Sequence, residues 1–234
     1  MTGAIVSGNI PTEAKNKLAA LTDVFFLSPD ESIASPVSTH PDMIVSIIGK
    51  NAVLPLEYAE KNPALCDFLT QKGYAVILSE EKRAPIYPYD TALNCAVGNG
   101  FIVSRKKTTD KNVLALAEKN GYKIIDVNQG YAGCSTLICD NAVITSDSGI
   151  YNAAITNGLE SVFVDKSGIA LPGYDVGFIG GCGGYSDGTL YFFGKIDSVE
   201  CGKKIRTFAE KREIAIVPLS DGRITDYGGI KFLK

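Results

Sequence analysis

The chain has 234 residues, of which 45% are hydrophobic, enough to bury a sizeable core in one large domain or two small ones. Its 23 basic and 26 acidic side chains leave a net charge of −3, which argues against the basic stripe of a nucleic-acid binder and the polybasic patch of a membrane-surface protein. No segment approaches 18 uninterrupted apolar residues and no charged lead precedes an apolar run, so the expectation is a soluble cytoplasmic protein whose six scattered cysteines are free thiols.

The predicted elements begin with "GAIVSGN", "PTEAKNKLAAL" and "TDVFFLS", a strand, a helix and a strand. Four longer segments follow, each with two apolar strands around a short polar turn, then an amphipathic helix and a third strand. The first is "DMIVSIIGKNAVLP", "LEYAEKNPALCDFLTQKG" and "YAVILSE", with its turn at Gly49 to Asn51 and a helix stopped by Gly73. The second is "LNCAVGNGFIVSR", "TDKNVLALAEKNG" and "YKIIDV", where Asn99 and Gly100 signal a hairpin and Thr109 or Asp110 caps the helix. The third is "CSTLICDNAVITS", "DSGIYNAAITNG" and "LESVFVD", with Asp147 to Gly149 as a helix cap. The fourth is "FIGGCGGYSDGTLYFFG", "SVECGKKIRTFAEKR" and "EIAIVPL", turning at Asp187 and Gly188. A last strand, "DYGGIKFLK", closes the chain.

The two terminal fragments joined together make a fifth copy of the unit. A repeat completed only by pairing the termini argues for a closed ring, because an open array would leave unpaired strand edges at its ends. The expected fold is therefore α/β, a single domain of five strand-strand-helix-strand units around a pseudo-fivefold axis. Their bounds fall near 29–80, 81–128, 129–166, 167–220, and 221–234 joined with 1–28.

This architecture resembles the pentein, or α/β-propeller, fold of the guanidino-group modifying enzymes, such as the deiminases, dimethylarginine dimethylaminohydrolase and the amidinotransferases. In "HPDM", "QGYAGC", "SDSGI", "LPGYDVGFIGGCGG" and "DYGGI" the chain is similar to a family of uncharacterised bacterial proteins with that fold. The resemblance implies a site in the central channel made of an acid in a Glu-x-Gly-Gly-like segment, a His-x-Asp one unit later and a nucleophilic cysteine two units after that. In "DYGG" the acid would be Asp226; His40, the only histidine, and Asp42 would form the His-x-Asp, and Cys134 would be the nucleophile. If the segment were a regular strand, residues i and i+2 would bring His40 and Asp42 to one face.

The chemistry of these residue types agrees with that implication. A cysteine attacks as thiolate and needs a neighbour that removes its proton, and an imidazole held by a carboxylate can return that proton to a leaving amine. The chain departs from the pattern in having Asp rather than Glu at 226, and no carboxylate in "GFIGGCGG", where the resemblance implies a second guanidinium-binding acid; Asp175 and Asp187 flank that place. Cys182 is a second candidate nucleophile, and Asp42, Asp90, Asn94, Cys182 and Asp187 are candidate substrate contacts. The glycines of "GFIGGCGG" open no helix and precede no Lys-Ser/Thr, so they read as relief of crowding near the axis rather than a phosphate cradle.

Cys134 and Cys139 on one predicted strand would point to opposite faces, which with one histidine argues against zinc. No cofactor is expected; the expected partner is a small molecule in the central channel. Two functions fit: a cysteine-dependent hydrolase or transferase at a C–N bond of a guanidino- or amidine-like compound, or a non-catalytic binding protein similar to the ribosome anti-association factors of the same fold.

Overall fold

A computed structural model describes residues 1–234. In chain order it contains β1 (Gly3–Ser7), α1 (Thr12–Ala19), β2 (Val24–Leu27), α2 (Pro41–Ile44), β3 (Ser46–Ile48), β4 (Asn51–Pro55), α3 (Leu56–Lys61), α4 (Pro63–Gln71) and β5 (Ala75–Ser79). There follow β6 (Ala96–Val97), β7 (Phe101–Ser104), α5 (Lys111–Lys119), β8 (Lys123–Asp126), β9 (Thr136–Cys139), β10 (Ala142–Thr145), α6 (Ser148–Thr156) and β11 (Glu160–Phe163). The last are β12 (Gly183–Ser186), β13 (Thr189–Phe192), α7 (Gly202–Lys211), β14 (Ala215–Pro218) and β15 (Lys231–Leu233).

The strands form five sheets of three, ordered β15-β1-β2, β3-β4-β5, β6-β7-β8, β9-β10-β11 and β12-β13-β14. In each sheet the first pair is antiparallel and the second parallel, the parallel connection carrying the helix. Ring closure is direct: β1 pairs antiparallel with β15, Gly3 opposite Leu233 and Ile5 opposite Lys231. This is the five-unit α/β propeller that the terminal fragments foretell.

Local chemistry explains the element ends. Asp110 caps α5 by accepting from the amides of Asn112 and Val113, and Asp147 caps α6 through Ile150. Gly73 takes a left-handed φ of 79° just past α4, where a side chain would be strained. The single helix expected over 56–73 is instead two, because Pro63 has no amide hydrogen to continue α3 and starts α4.

Apolar packing lies between units. One cluster joins Leu137 and Ile144 to Leu190, Phe192 and Ile205; another joins Ile5 and Leu27 to Leu54, Leu65 and Leu69. Each unit therefore buries its apolar face against a neighbour, which is why one unit alone would not be stable.

Candidate active site

The five segments that lead into the inner strands β3, β6, β9, β12 and β15 converge on the axis. They hydrogen-bond to one another in a closed circuit. The Asp42 amide donates to the Gly228 carbonyl at 3.2 Å, and Asn94 Nδ2 donates to the Asp42 carbonyl at 3.1 Å. The Gly133 amide donates to Asn94 Oδ1 at 2.8 Å, the Gly180 amide to the Cys134 carbonyl at 2.8 Å, and the Tyr227 amide to the Gly181 carbonyl at 2.9 Å. Every unit is thus linked to the next at the level where Asp42, Asn94, Cys134, Gly181 and Asp226 stand.

His40 and Asp42 do not lie on a regular strand. Pro41 has a fixed φ and no amide hydrogen, and it starts the short turn α2, so β3 begins only at Ser46. The turn separates the two side chains. His40 faces Asp226, its Nδ1 lying 3.7 Å from Asp226 Oδ1, beyond hydrogen-bond length. Burial pushes the imidazole down to about 4, so it is neutral at physiological pH.

Asp226 is 1% exposed and is held from two sides, Oδ2 accepting from the Phe178 amide at 2.8 Å and Oδ1 from the Gly228 amide at 3.0 Å. The glycine-rich segment makes room for it: a Cβ on Gly181 would lie 1.7 Å from Asp226 Oδ1. The place where the family pattern implies a second acid is therefore filled by the Asp226 carboxylate, reaching across from the adjacent unit.

Cys134 precedes β9 rather than lying in it, and is 6% exposed. Its Sγ receives a hydrogen bond from Asn94 Nδ2 at 2.9 Å. Burial, then the negative charges of Asp42 and Asp226, raise the thiol well above its usual range, while the Asn94 bond opposes them. Asp42 is 2% exposed; no amide, hydroxyl or cation bonds to its carboxylate, and the Cys134 thiol beside it, which it helps to keep protonated, is the one group placed to donate to it. Its pKa is raised chiefly by burial, with Lys231 pulling the other way. That of Asp226 is raised by burial and by Asp42. No Lys or Arg forms an ion pair with either acid.

A cavity of about 510 Å³ borders this level and is lined by residues of all five inner strands. Asp42, Gly133, Gly180 and Gly228 border one part of it, and Ile47, Val97 and Lys231 border its walls.

The remaining candidates separate. Asp90 is buried but accepts from the Tyr131 hydroxyl at 2.7 Å rather than facing Cys134. Cys182 lies in the core between units, donates to the Phe178 carbonyl at 3.2 Å, and has its thiol pushed well up by burial, so it packs instead of facing a ligand. Asp187 is at the tip of the β12–β13 hairpin, its side chain 59% exposed and paired with the N-terminal amine at 3.1 Å. It is not brought to the site, because the turn that makes it recognisable also carries it to the far end of the strands. Sequence reading missed Arg83, which is buried, pairs with Asp30 and donates to the Met43 carbonyl at 2.7 Å; in "SEEKRAP" it is indistinguishable from a solvated charge.

Comparison with known proteins agrees with this geometry at the level of the fold. A family model matches residues 5–231. The chain belongs to DUF6873, a family of unknown function. No curated protein matches it. Among solved structures, this DUF6873 member is similar to DDAH from Pseudomonas aeruginosa complexed with citrulline, at 10% identity and a TM-score of 0.57, covering 93% of this chain and 91% of that one. It is also similar to an amidinotransferase of the saxitoxin biosynthetic pathway from Microseira wollei, at 9% identity, TM-score 0.58, and 100% and 94% coverage. The inosamine-phosphate amidinotransferase of Streptomyces griseus matches at 10% identity, TM-score 0.54, and the same coverage. The likeness is one of fold: the five-unit α/β propeller, or pentein fold. No helix is long and apolar enough to cross a membrane.

Proposed function

We propose that this chain is a cysteine-dependent hydrolase or transferase acting at a C–N bond of a small guanidino- or amidine-like compound. The observation that carries the reading is the charge deficit around Cys134: two buried carboxylates, Asp42 and Asp226, flank the thiol without a cationic partner, and no amide or cation bonds to the oxygens of Asp42, which have only the Cys134 thiol beside them. Burying a carboxylate this way costs several kcal/mol in general. A planar cation with N–H donors offsets that cost and presents its central carbon to Sγ. The similarity to DDAH and two amidinotransferases supports the same class of substrate.

In this reading Asp42 binds the cation, and the positive charge of the ligand lowers the thiol pKa that the two acids raise. The Cys134 thiolate attacks the central carbon, forming an S–C bond. His40, neutral at rest and facing the Asp226 carboxylate, takes the proton that the thiol loses, and gives it to the leaving amine as the C–N bond breaks. Water, or a second amine, then attacks the same carbon, gives a proton to His40 and displaces the sulfur as the S–C bond breaks; that proton returns to the sulfur. The enzyme regains its thiol.

The test is turnover on a panel of guanidino and amidino compounds, with release of amine or ureido product as the readout. Cys134→Ala should abolish turnover with the fold intact; activity surviving that change at the parent level overturns the reading.

A further inference from the structure

Asn94 stands in the unit between His40 and Cys134, and its side chain makes more contacts at the site than any ligand-facing role requires. Oδ1 accepts from the amides of Gly133 at 2.8 Å and Cys134 at 3.1 Å. Nδ2 lies 2.9 Å from Cys134 Sγ, 3.0 Å from Met43 Sδ and 3.1 Å from the Asp42 carbonyl oxygen. The two backbone donors fix the amide orientation, since the flipped group would set N–H against N–H. The donor edge must therefore face the sulfur. Asn94 is 2% exposed.

We propose that Asn94 is the positioning residue of the thiol: it holds Sγ by an N–H···S bond, fixes the backbone of Cys134 through the opposite edge of the same amide, and stabilises the thiolate once it forms. It acts through Cys134 and does not contact substrate. A hydrogen bond to an ionised acceptor is stronger than one to a neutral acceptor, so the Nδ2–Sγ bond strengthens as the proton leaves. Among the side chains around Cys134, Asp42 and Asp226 oppose ionisation and Asn94 favours it. His40 is neutral and the Lys231 charge lies along the axial cavity. The inference rests on Cys134 being the working thiol, but not on what that thiol attacks.

A purely structural role is the competing account, because Asn94 carries two of the five links in the circuit around the axis. Ionisation of the thiol separates the two. Thiolate absorbance near 240 nm is followed from pH 7 to 11 in the parent protein and in Asn94→Ala, with Cys134→Ser subtracted to isolate this one thiol. The expected result is a Cys134 midpoint at least about one pH unit higher in Asn94→Ala, a tenfold loss of thiolate at a given pH. An unshifted midpoint, or no step in the parent protein before it unfolds, overturns the proposal.

If Asn94→Ala fails to fold, the asparagine side-chain amides of the parent protein, labelled with ¹⁵N, decide the matter. The Asn94 Nδ2 resonances should move with the Cys134 titration, and should stay fixed in Cys134→Ser. Resonances that ignore the titration in the parent protein overturn the assignment. Neither readout uses turnover, so an inactive panel of guanidino compounds would count against the proposed reaction and leave this result standing.

Discussion

At the scale of single residues, two buried acids and one buried imidazole set opposite pH dependences. Asp42 and Asp226 titrate as a pair in the range of about 6 to about 7, raised by burial. The folded protein therefore binds more protons than the unfolded chain from about pH 4 up to that range, and these acids make stability fall as pH rises through it. His40, lowered to about 4 by burial, works the other way: the unfolded chain binds the extra proton between about 4 and 6.5, and stability rises with pH there. Two protons against one leave a net fall from about pH 4 to about pH 6, which levels off where one acid opposes the imidazole and ends at about pH 7, measurable as thermal midpoint against pH. Asp42→Asn should flatten that fall and raise the midpoint at pH 8, since it removes a buried charge without a partner. A lowered midpoint at pH 8 would contradict the charge deficit.

A second residue-scale outcome concerns Gly181. A methyl there meets Asp226 Oδ1 at 1.7 Å, so Gly181→Ala should cost about 1–3 kcal/mol by overpacking and displace the carboxylate from the Phe178 and Gly228 amides. Urea unfolding reads the cost. The glycine was legible as crowding near the axis, but which atom crowds it was not, because Asp226 comes from the next unit around the ring.

At the scale of elements, strand pairs, hairpin turns and caps were readable because each depends on neighbours within a few residues. Asp110 is an example, since a cap three residues before an apolar helix face needs no tertiary knowledge. It also accepts from Ser79 Oγ at 2.5 Å and is 1% exposed, so Asp110→Ala should cost about 1–2 kcal/mol, the upper part of the range for caps. An effect below a few tenths of a kcal/mol would mean that Ser79 and the α5 amides find water instead. What could not be read was the path between elements. His40 and Asp42 looked like strand residues because the apolar run "MIVSII" follows them directly, and only the Pro41-started turn separates them from β3. Asn94 was recognisable as a channel-side polar residue, but its bonds to Cys134 depend on how two units dock.

At the scale of the molecule, ring closure was legible from the incomplete terminal copies, and the β15–β1 pairing realises it. The five-link circuit around the axis joins that closure to the site: the bonds that hold the units together at their centre involve the residues that surround Cys134. Deleting residues 231–234 removes β15 and exposes the edge of β1, so the shortened chain should lose cooperative thermal unfolding. A truncated protein that kept the parent transition would show that the ring does not need its seam.

A receptor for a planar nitrogen cation, built from Cys134 and its two acids, would discriminate between a pair of matched electrophiles. Chloroacetamidine and chloroacetamide have nearly the same shape and react alike, the thiolate displacing chloride with formation of an S–C bond, but only the first is a cation. Mass spectrometry of the intact and digested protein gives the rate at each cysteine. The expected result is selective alkylation of Cys134 by the amidine, at least about tenfold faster than by the amide, with the preference lost in Asp42→Asn, as a loss of about one charge-assisted contact implies. Equal rates for the two reagents, or labelling that falls on another cysteine first, would mean that Cys134 and its acids do not form such a receptor.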